Sequence, residues 1–210
     1  DAFVANGSGA FKLPDLNDYP DICPPYVTPE MAGSYTPYMR NPDTQVRYWA
    51  IPGQEGYMHI LGGLEKDGRT GAISTDPENH DKMCRLRAAK VFKIPVPDLE
   101  VQGDADDADL LIVGFGGTFG HLYSAMEEMR SAGHKVALAH FNYINPLPKN
   151  TAEVLGKYKK VVVAEQNLGQ FAGYLRMRID NFMPYQFNQV KGQPFVVGEL
   201  VKAFTKIINN

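Results

Sequence analysis

Two stretches of this chain carry groups that could do chemistry. One is the glycine-rich run Gly114-Phe115-Gly116-Gly117-Thr118-Phe119-Gly120; the other is Glu165-Gln166-Asn167-Leu168-Gly169-Gln170. A glycine-rich turn that enters a helix offers free backbone N–H groups and the positive end of the helix dipole, the ingredients of a phosphate site. The spacing here, Gly-x-Gly-Gly-x-x-Gly, is close to the dinucleotide fingerprint without matching it. The acidic residue expected after the next strand is missing, since the chain there reads His140-Phe141-Asn142-Tyr143. No Gly-Lys-Ser/Thr follows, which excludes a P-loop. Glycines that let a strand and a helix pack tightly are the preferred reading. In the second stretch, Glu165 at a strand end has the chemistry of a general acid or base. A carboxylate that caps the following helix or meets a partner chain is preferred. Asn167 can cap that helix with its side-chain oxygen, and Gly169 permits close approach of another backbone.

No Ser–His–Asp set, carboxylate pair or metal cluster stands out. The two cysteines, Cys23 and Cys84, cannot ligate an iron–sulfur cluster, which takes four; free thiols are expected. His59, His80, His121, His134 and His140 show no metal spacing and read as surface or hydrogen-bonded histidines. No catalytic residue and no metal ligand is assigned. The lysines and arginines between Lys82 and Lys90 read as a solvated helix face.

The elements that position the two stretches follow from periodicity. Leu110 to Val113 is a continuous apolar run, as in a strand buried on both faces. Leu122, Ala125, Met126 and Met129 then mark one face of a helix, and Lys135 to Ala139 a second strand. Strand, turn, helix and strand in about thirty residues make a βαβ unit. A short helix (151–157), a third strand (160–165), a helix (171–179), a short strand around 187–190 and a last helix (196–208) continue the alternation. This predicts an α/β fold: three layers around a mixed, mostly parallel sheet. Loops 114–120, 142–148 and 165–170 should converge at the carboxyl ends of the strands, where such sheets place ligands and partners.

The first half reads differently. Prolines at 14, 20, 24, 25, 29, 37, 42 and 52 are too dense for helices or central strands. Six aromatics between Tyr19 and Trp49 argue against a disordered linker. A largely irregular connecting segment, extended over a folded surface, is expected. It holds a possible strand at 45–51 and a hairpin or loop over 57–75. The clearest helix runs from Pro77 to Phe92, capped by Asp76. Val96 to Asp109, with its prolines and acidic run, reads as a linker. The expected domains are 1–98 and 99–210, the second folding without the first.

Composition is that of an ordinary globular protein: 44% hydrophobic, 21% charged, net charge −3. That balance argues against nucleic-acid binding. No apolar run is long enough to span a bilayer. With no signal peptide and no initiating Met, the chain reads as a cytoplasmic fragment of something longer.

Six stretches carry a family resemblance. They are Trp49-Ala50-Ile51-Pro52-Gly53, Gly62-Gly63-Leu64-Glu65, Asp76-Pro77-Glu78-Asn79-His80, Asn145-Pro146-Leu147-Pro148-Lys149-Asn150, Glu165-Gln166-Asn167-Leu168-Gly169-Gln170 and Lys191-Gly192-Gln193-Pro194-Phe195. As a set the chain resembles the α subunit of the 2-oxoacid:ferredoxin oxidoreductases, most closely the 2-oxoglutarate type, in its C-terminal part. The resemblance implies a tail of the pyrimidine-binding domain at Asp1 to about Asn6, then a connecting segment. A five-stranded domain similar to the transketolase C-terminal domain should follow. It also implies an enzyme that oxidises a 2-oxoacid to an acyl-CoA with thiamine diphosphate, magnesium, iron–sulfur clusters and coenzyme A. Its partners would be a β subunit in an α/β hetero-oligomer and ferredoxin. This fragment would bind none of these cofactors and would serve assembly. Gly116, Gly117, Thr118, Phe119, Glu165, Asn167 and Gln170 are the residues expected to face the shared active site or a partner, with Glu165 as a hydrogen-bond acceptor. The competing readings are a nucleotide-binding enzyme using the glycine run and a standalone transketolase-C-like interaction module.

Overall fold

The structure, a computed structural model, describes residues 15–19, 21–60 and 62–210. The expected tail at Asp1 to Asn6 lies outside them. The chain divides into two compact units, one within Ala10–Pro95 and one comprising Val96–Asn210.

The Ala10–Pro95 unit is mostly irregular. Two single-turn 3₁₀ helices, Leu16–Asp18 and Pro29–Met31, precede one long helix, α1, Pro77–Phe92. The strand expected at 45–51 does not form. Isolated bridges Tyr26↔Trp49 and Arg40↔Arg47 stand in its place, because the prolines withhold the donors a ladder needs. The hairpin expected over 57–75 reduces to the bridge Lys66↔Ile73 around a turn. Aromatics still organise the segment: the Tyr57 hydroxyl donates to Thr28 O at 3.0 Å, and the Tyr35 and Tyr57 rings meet edge to face at 5.4 Å. The start of α1 is as the sequence dictates. The Asp76 carboxylate accepts from the N–H groups of Glu78 and Asn79, and Pro77 occupies the first helical position. Buried Asn79 ties the helix to the preceding loop: its Nδ2 donates to Lys66 O and its Oδ1 accepts from Gly68 N.

In the Val96–Asn210 unit the strands are β1 (Val101–Gly103), β2 (Leu110–Phe115), β3 (Val136–Phe141), β4 (Val161–Glu165) and β5 (Tyr185–Asn188). The helices are α2 (Phe119–Ser131), α3 (Thr151–Gly156), α4 (Gln170–Arg178) and α5 (Val197–Asn209). The sheet order is β1-β3-β2-β4-β5. All neighbours run parallel except β1, which lies antiparallel to β3 with Val101 opposite Ala139. The Val96–Asp109 linker expectation is corrected here, because the stretch contains an edge strand. Two members of its acidic run are paired. Asp104 receives Arg130 at 2.9 and 3.2 Å and also the Val136 N–H, while Lys135 pairs with Asp107. The Arg130 guanidinium thereby holds the Asp104 carboxyl below its usual range.

Alternation along each strand builds two cores. Leu111, Val113, Ala139, Val161 and Val163 face one side with Leu155, Phe171 and Leu175. Leu110, Ile112, Leu138 and Val162 face the other, under Leu122, Met126, Met129, Leu200 and Phe204. The helix face read from the sequence, Leu122, Ala125, Met126 and Met129, is buried throughout. Burying each such aliphatic side chain contributes about 1.5–3 kcal/mol, so the two cores fix the sheet and hold its loops in place.

Candidate functional site at the carboxyl edge of the sheet

The run from Phe115 to Phe119 joins β2 to α2 through a 3₁₀ turn, Gly116–Thr118. Gly114 sits inside β2. A Cβ on it would lie 2.2 Å from Leu122 Cδ1 and 2.9 Å from Thr118 Oγ1, so its hydrogen is what lets α2 pack against the sheet. Gly116 has φ +60°, the left-handed region that favours glycine. Thr118 is buried, and its hydroxyl donates to Phe115 O at 2.8 Å. Gly116 O accepts from His140 Nε2 at 3.0 Å. A carbonyl only accepts, so Nε2 carries the proton. Burial lowers the His140 pKa, outweighing the hydrogen bonds that would raise it. Phe119 packs edge to face on His140 at 5.1 Å and leans on Tyr123.

The second loop anchors itself with its own motif. Pro146 and Pro148 are buried, and the Thr151 hydroxyl donates to Pro148 O. Asn150 exchanges two hydrogen bonds with the Leu99 backbone, at 2.8 and 3.0 Å, clamping the chain before β1 to the start of α3. Asn142, Tyr143, Ile144 and Asn145 remain exposed.

The third loop, 165–170, satisfies itself internally. Glu165 is 0% exposed. Its two oxygens accept from Phe171 N at 2.8 Å and Ala172 N at 2.9 Å, in the first turn of α4. Asn167 Oδ1 accepts from Gly169 N and Gln170 N, and Gln170 Oε1 accepts from Leu168 N. Gln166 donates to Gln193 O, which links this motif to Lys191-Gly192-Gln193. Gly169 has φ +96°, and a Cβ there would meet Gln186 Oε1 at 2.5 Å. Of the two roles expected for Glu165, capping the next helix or offering an acceptor to a partner, the structure shows the cap, with both oxygens engaged. Its carboxylate is turned inward, because two helix N–H groups buried under the sheet edge need an acceptor. The close approach expected at Gly169 is made by the Gln186 side chain.

What opens at this edge is a cleft of about 650 Å³ beside β1, walled by Glu100, Gln102, Phe119, Leu138, His140 and Tyr143, with Gly116 at its rim. Of the residues singled out in the sequence, the structure brings Gly116 and Phe119 to this cleft. Thr118 is buried beside it, and Gly117 lies between them in the turn. Glu165, Asn167 and Gln170 do not line it. Sequence reasoning missed the cleft because one wall comes from the stretch read as a linker. The signal for His140 was its place one residue past the apolar run of β3. Three large apolar side chains at this edge are exposed, Phe119 39%, Tyr143 46% and Leu168 79%.

Comparison with known proteins gives this arrangement a context. Residues 108–198 match the family model described as pyruvate:ferredoxin oxidoreductase core domain II. The 2-oxoglutarate oxidoreductase subunit KorA of Mycobacterium tuberculosis is 43% identical over 202 residues, 95% of this chain and 30% of that protein. The 2-oxoacid:ferredoxin oxidoreductase 2 subunit alpha of Aeropyrum pernix is 30% identical over 156 residues, 71% of this chain and 24% of that one. A solved 2-oxoglutarate:ferredoxin oxidoreductase from Magnetococcus marinus, with 2-oxoglutarate, coenzyme A and succinyl-CoA bound, superposes with a TM-score of 0.81 at 29% identity. That match covers 93% of this chain and 34% of the solved one. The chain thus spans about a third or less of these relatives. Likeness running through both units, in sequence and in backbone course, shows that the chain belongs to the 2-oxoacid:ferredoxin oxidoreductase family and corresponds to part of its α subunit.

Proposed function

We propose that this chain is the assembly portion of the α subunit of a 2-oxoglutarate:ferredoxin oxidoreductase, which oxidises 2-oxoglutarate to succinyl-CoA and passes the electrons to ferredoxin. The observation that carries the reading is 43% identity along 95% of the chain to a 2-oxoglutarate oxidoreductase subunit. The relative solved with 2-oxoglutarate, coenzyme A and succinyl-CoA supports the same substrate pair. The complete enzyme would draw on thiamine diphosphate, magnesium and iron–sulfur clusters. An iron–sulfur cluster does not fit this chain, whose two cysteines fall short of the four ligands it takes. No step is assigned to Glu165, whose carboxylate is spent on α4.

The role of the chain is structural. Two packed cores hold the carboxyl edge of the sheet rigid, and exposed Phe119, Tyr143 and Leu168 on that edge supply the apolar contact that a partner surface buries. That partner is a β subunit or the remainder of the α subunit. The test is to purify the complete α subunit with its β subunit and measure reduction of a low-potential acceptor. Turnover that requires both 2-oxoglutarate and coenzyme A is expected, and none from this chain alone. Turnover by the isolated chain, or a complex that ignores 2-oxoglutarate while oxidising another 2-oxoacid, overturns the assignment. Phe119→Asp and Leu168→Asp together should weaken assembly while leaving the fold of the isolated chain intact.

A further inference from the structure

The Ala10–Pro95 unit brings together a set of metal-ligating groups that none of the functional readings uses. Glu65, His80 and Cys84 each place a ligand atom within 4.8 Å of the others, and they are the one such group among the described residues. His80 and Cys84 are four residues apart on α1, so both side chains stand on one helix face. Glu65 comes from the loop before it. His80 Nδ1 lies 2.8 Å from Glu65 Oε2. A carboxylate only accepts, so Nδ1 carries the hydrogen and Nε2 keeps a free lone pair. That lone pair faces Cys84 Sγ at 3.6 Å.

This geometry has a specific meaning. Zinc binds imidazole nitrogen at about 2.0–2.1 Å and thiolate sulfur at about 2.3 Å, which puts N and S about 3.5 Å apart across a tetrahedral centre. The observed separation matches without any movement of the helix. A carboxylate on the far nitrogen of a ligating histidine is the arrangement that fixes its tautomer and orientation in zinc sites. Glu65 is itself held by Arg87, at 3.2 and 3.3 Å. Arg87 also donates to Cys84 Sγ at 3.1 Å, a hydrogen bond that a metal-bound thiolate can still accept. We infer that His80 Nε2 and Cys84 Sγ bind a zinc ion, with Glu65 orienting His80 from behind. Water fills the remaining coordination positions, since side chains on this face are exposed, and the site binds more weakly than a closed four-ligand one. A soft thiolate beside an imidazole selects zinc or cobalt over magnesium or calcium. Binding replaces the Cys84 thiol proton with the metal, and the proton leaves to solvent.

The experiment titrates the full chain with Zn²⁺ against a chromophoric chelator and with Co²⁺ followed by absorption. One equivalent of Zn²⁺ should bind, Co²⁺ should give a thiolate-to-cobalt charge-transfer band, and Mg²⁺ should not compete. Cys84→Ser and His80→Ala, checked for native circular dichroism, should each abolish the band, while Cys23→Ser should keep it. Glu65→Gln should weaken Zn²⁺ binding by about tenfold to a hundredfold. Absence of the band, its survival in His80→Ala, or its loss in Cys23→Ser overturns the inference.

Discussion

Replacing Glu165 by Gln tests what the buried carboxylate does. In the native chain both oxygens accept from α4, Phe171 N at 2.8 Å and Ala172 N at 2.9 Å, at a site with no exposed surface. Gln keeps the shape and one acceptor but turns an NH₂ donor toward a backbone N–H donor. One buried N–H is left unsatisfied, at about 1–3 kcal/mol, and the opposing amide donor adds a similar cost, so a loss of about 2–6 kcal/mol is expected. For a unit of this size about 4 °C follows each kcal/mol, which puts the drop in Tm at roughly 8–24 °C. The assay is thermal unfolding followed by far-ultraviolet circular dichroism. Tryptophan fluorescence would not serve, because Trp49 lies in the other unit. Glu165→Ala should fall at least as far, since both N–H groups lose their acceptor. A Glu165→Gln variant melting within about 2 °C of the native chain would refute the capping role. Defective assembly in the same variant would then return Glu165 to the partner-facing role first read from the sequence.

Two further outcomes follow from the same edge. Gly114→Ala places a methyl 2.2 Å from Leu122 Cδ1, and the overpacking should cost about 1–3 kcal/mol in denaturant unfolding with an unchanged slope. The folded-state pKa of His140 is lowered by burial, so its contribution to stability is fully present above the unfolded value of about 6.5 and is lost as pH falls through the folded value. Unfolding free energy measured across this range should decline toward acid, and His140→Gln should flatten that decline.

The sequence by itself determined the parts that local physics controls. The Asp76-Pro77 start of α1 was legible because a cap and a fixed φ act within one turn. The buried face of α2 and the apolar strands β2, β3 and β4 were legible because burial imposes a period that a packed helix or two-sided strand cannot escape. The preferred reading of the glycine run as packing is matched at Gly114, whose missing Cβ makes room for Leu122. Tertiary structure alone decided the rest. The short β1 became a strand only by pairing with β3, thirty-odd residues on, and no local signal in Val101-Gln102-Gly103 marks that. Sequence left Glu165 between capping the next helix and meeting a partner, because it gives a residue's chemistry but not the direction of its side chain, and two unpaired helix donors set that direction. Glu65 meets His80 and Cys84 only because the loop before α1 folds back along the helix, a juxtaposition fifteen residues apart that spacing does not encode.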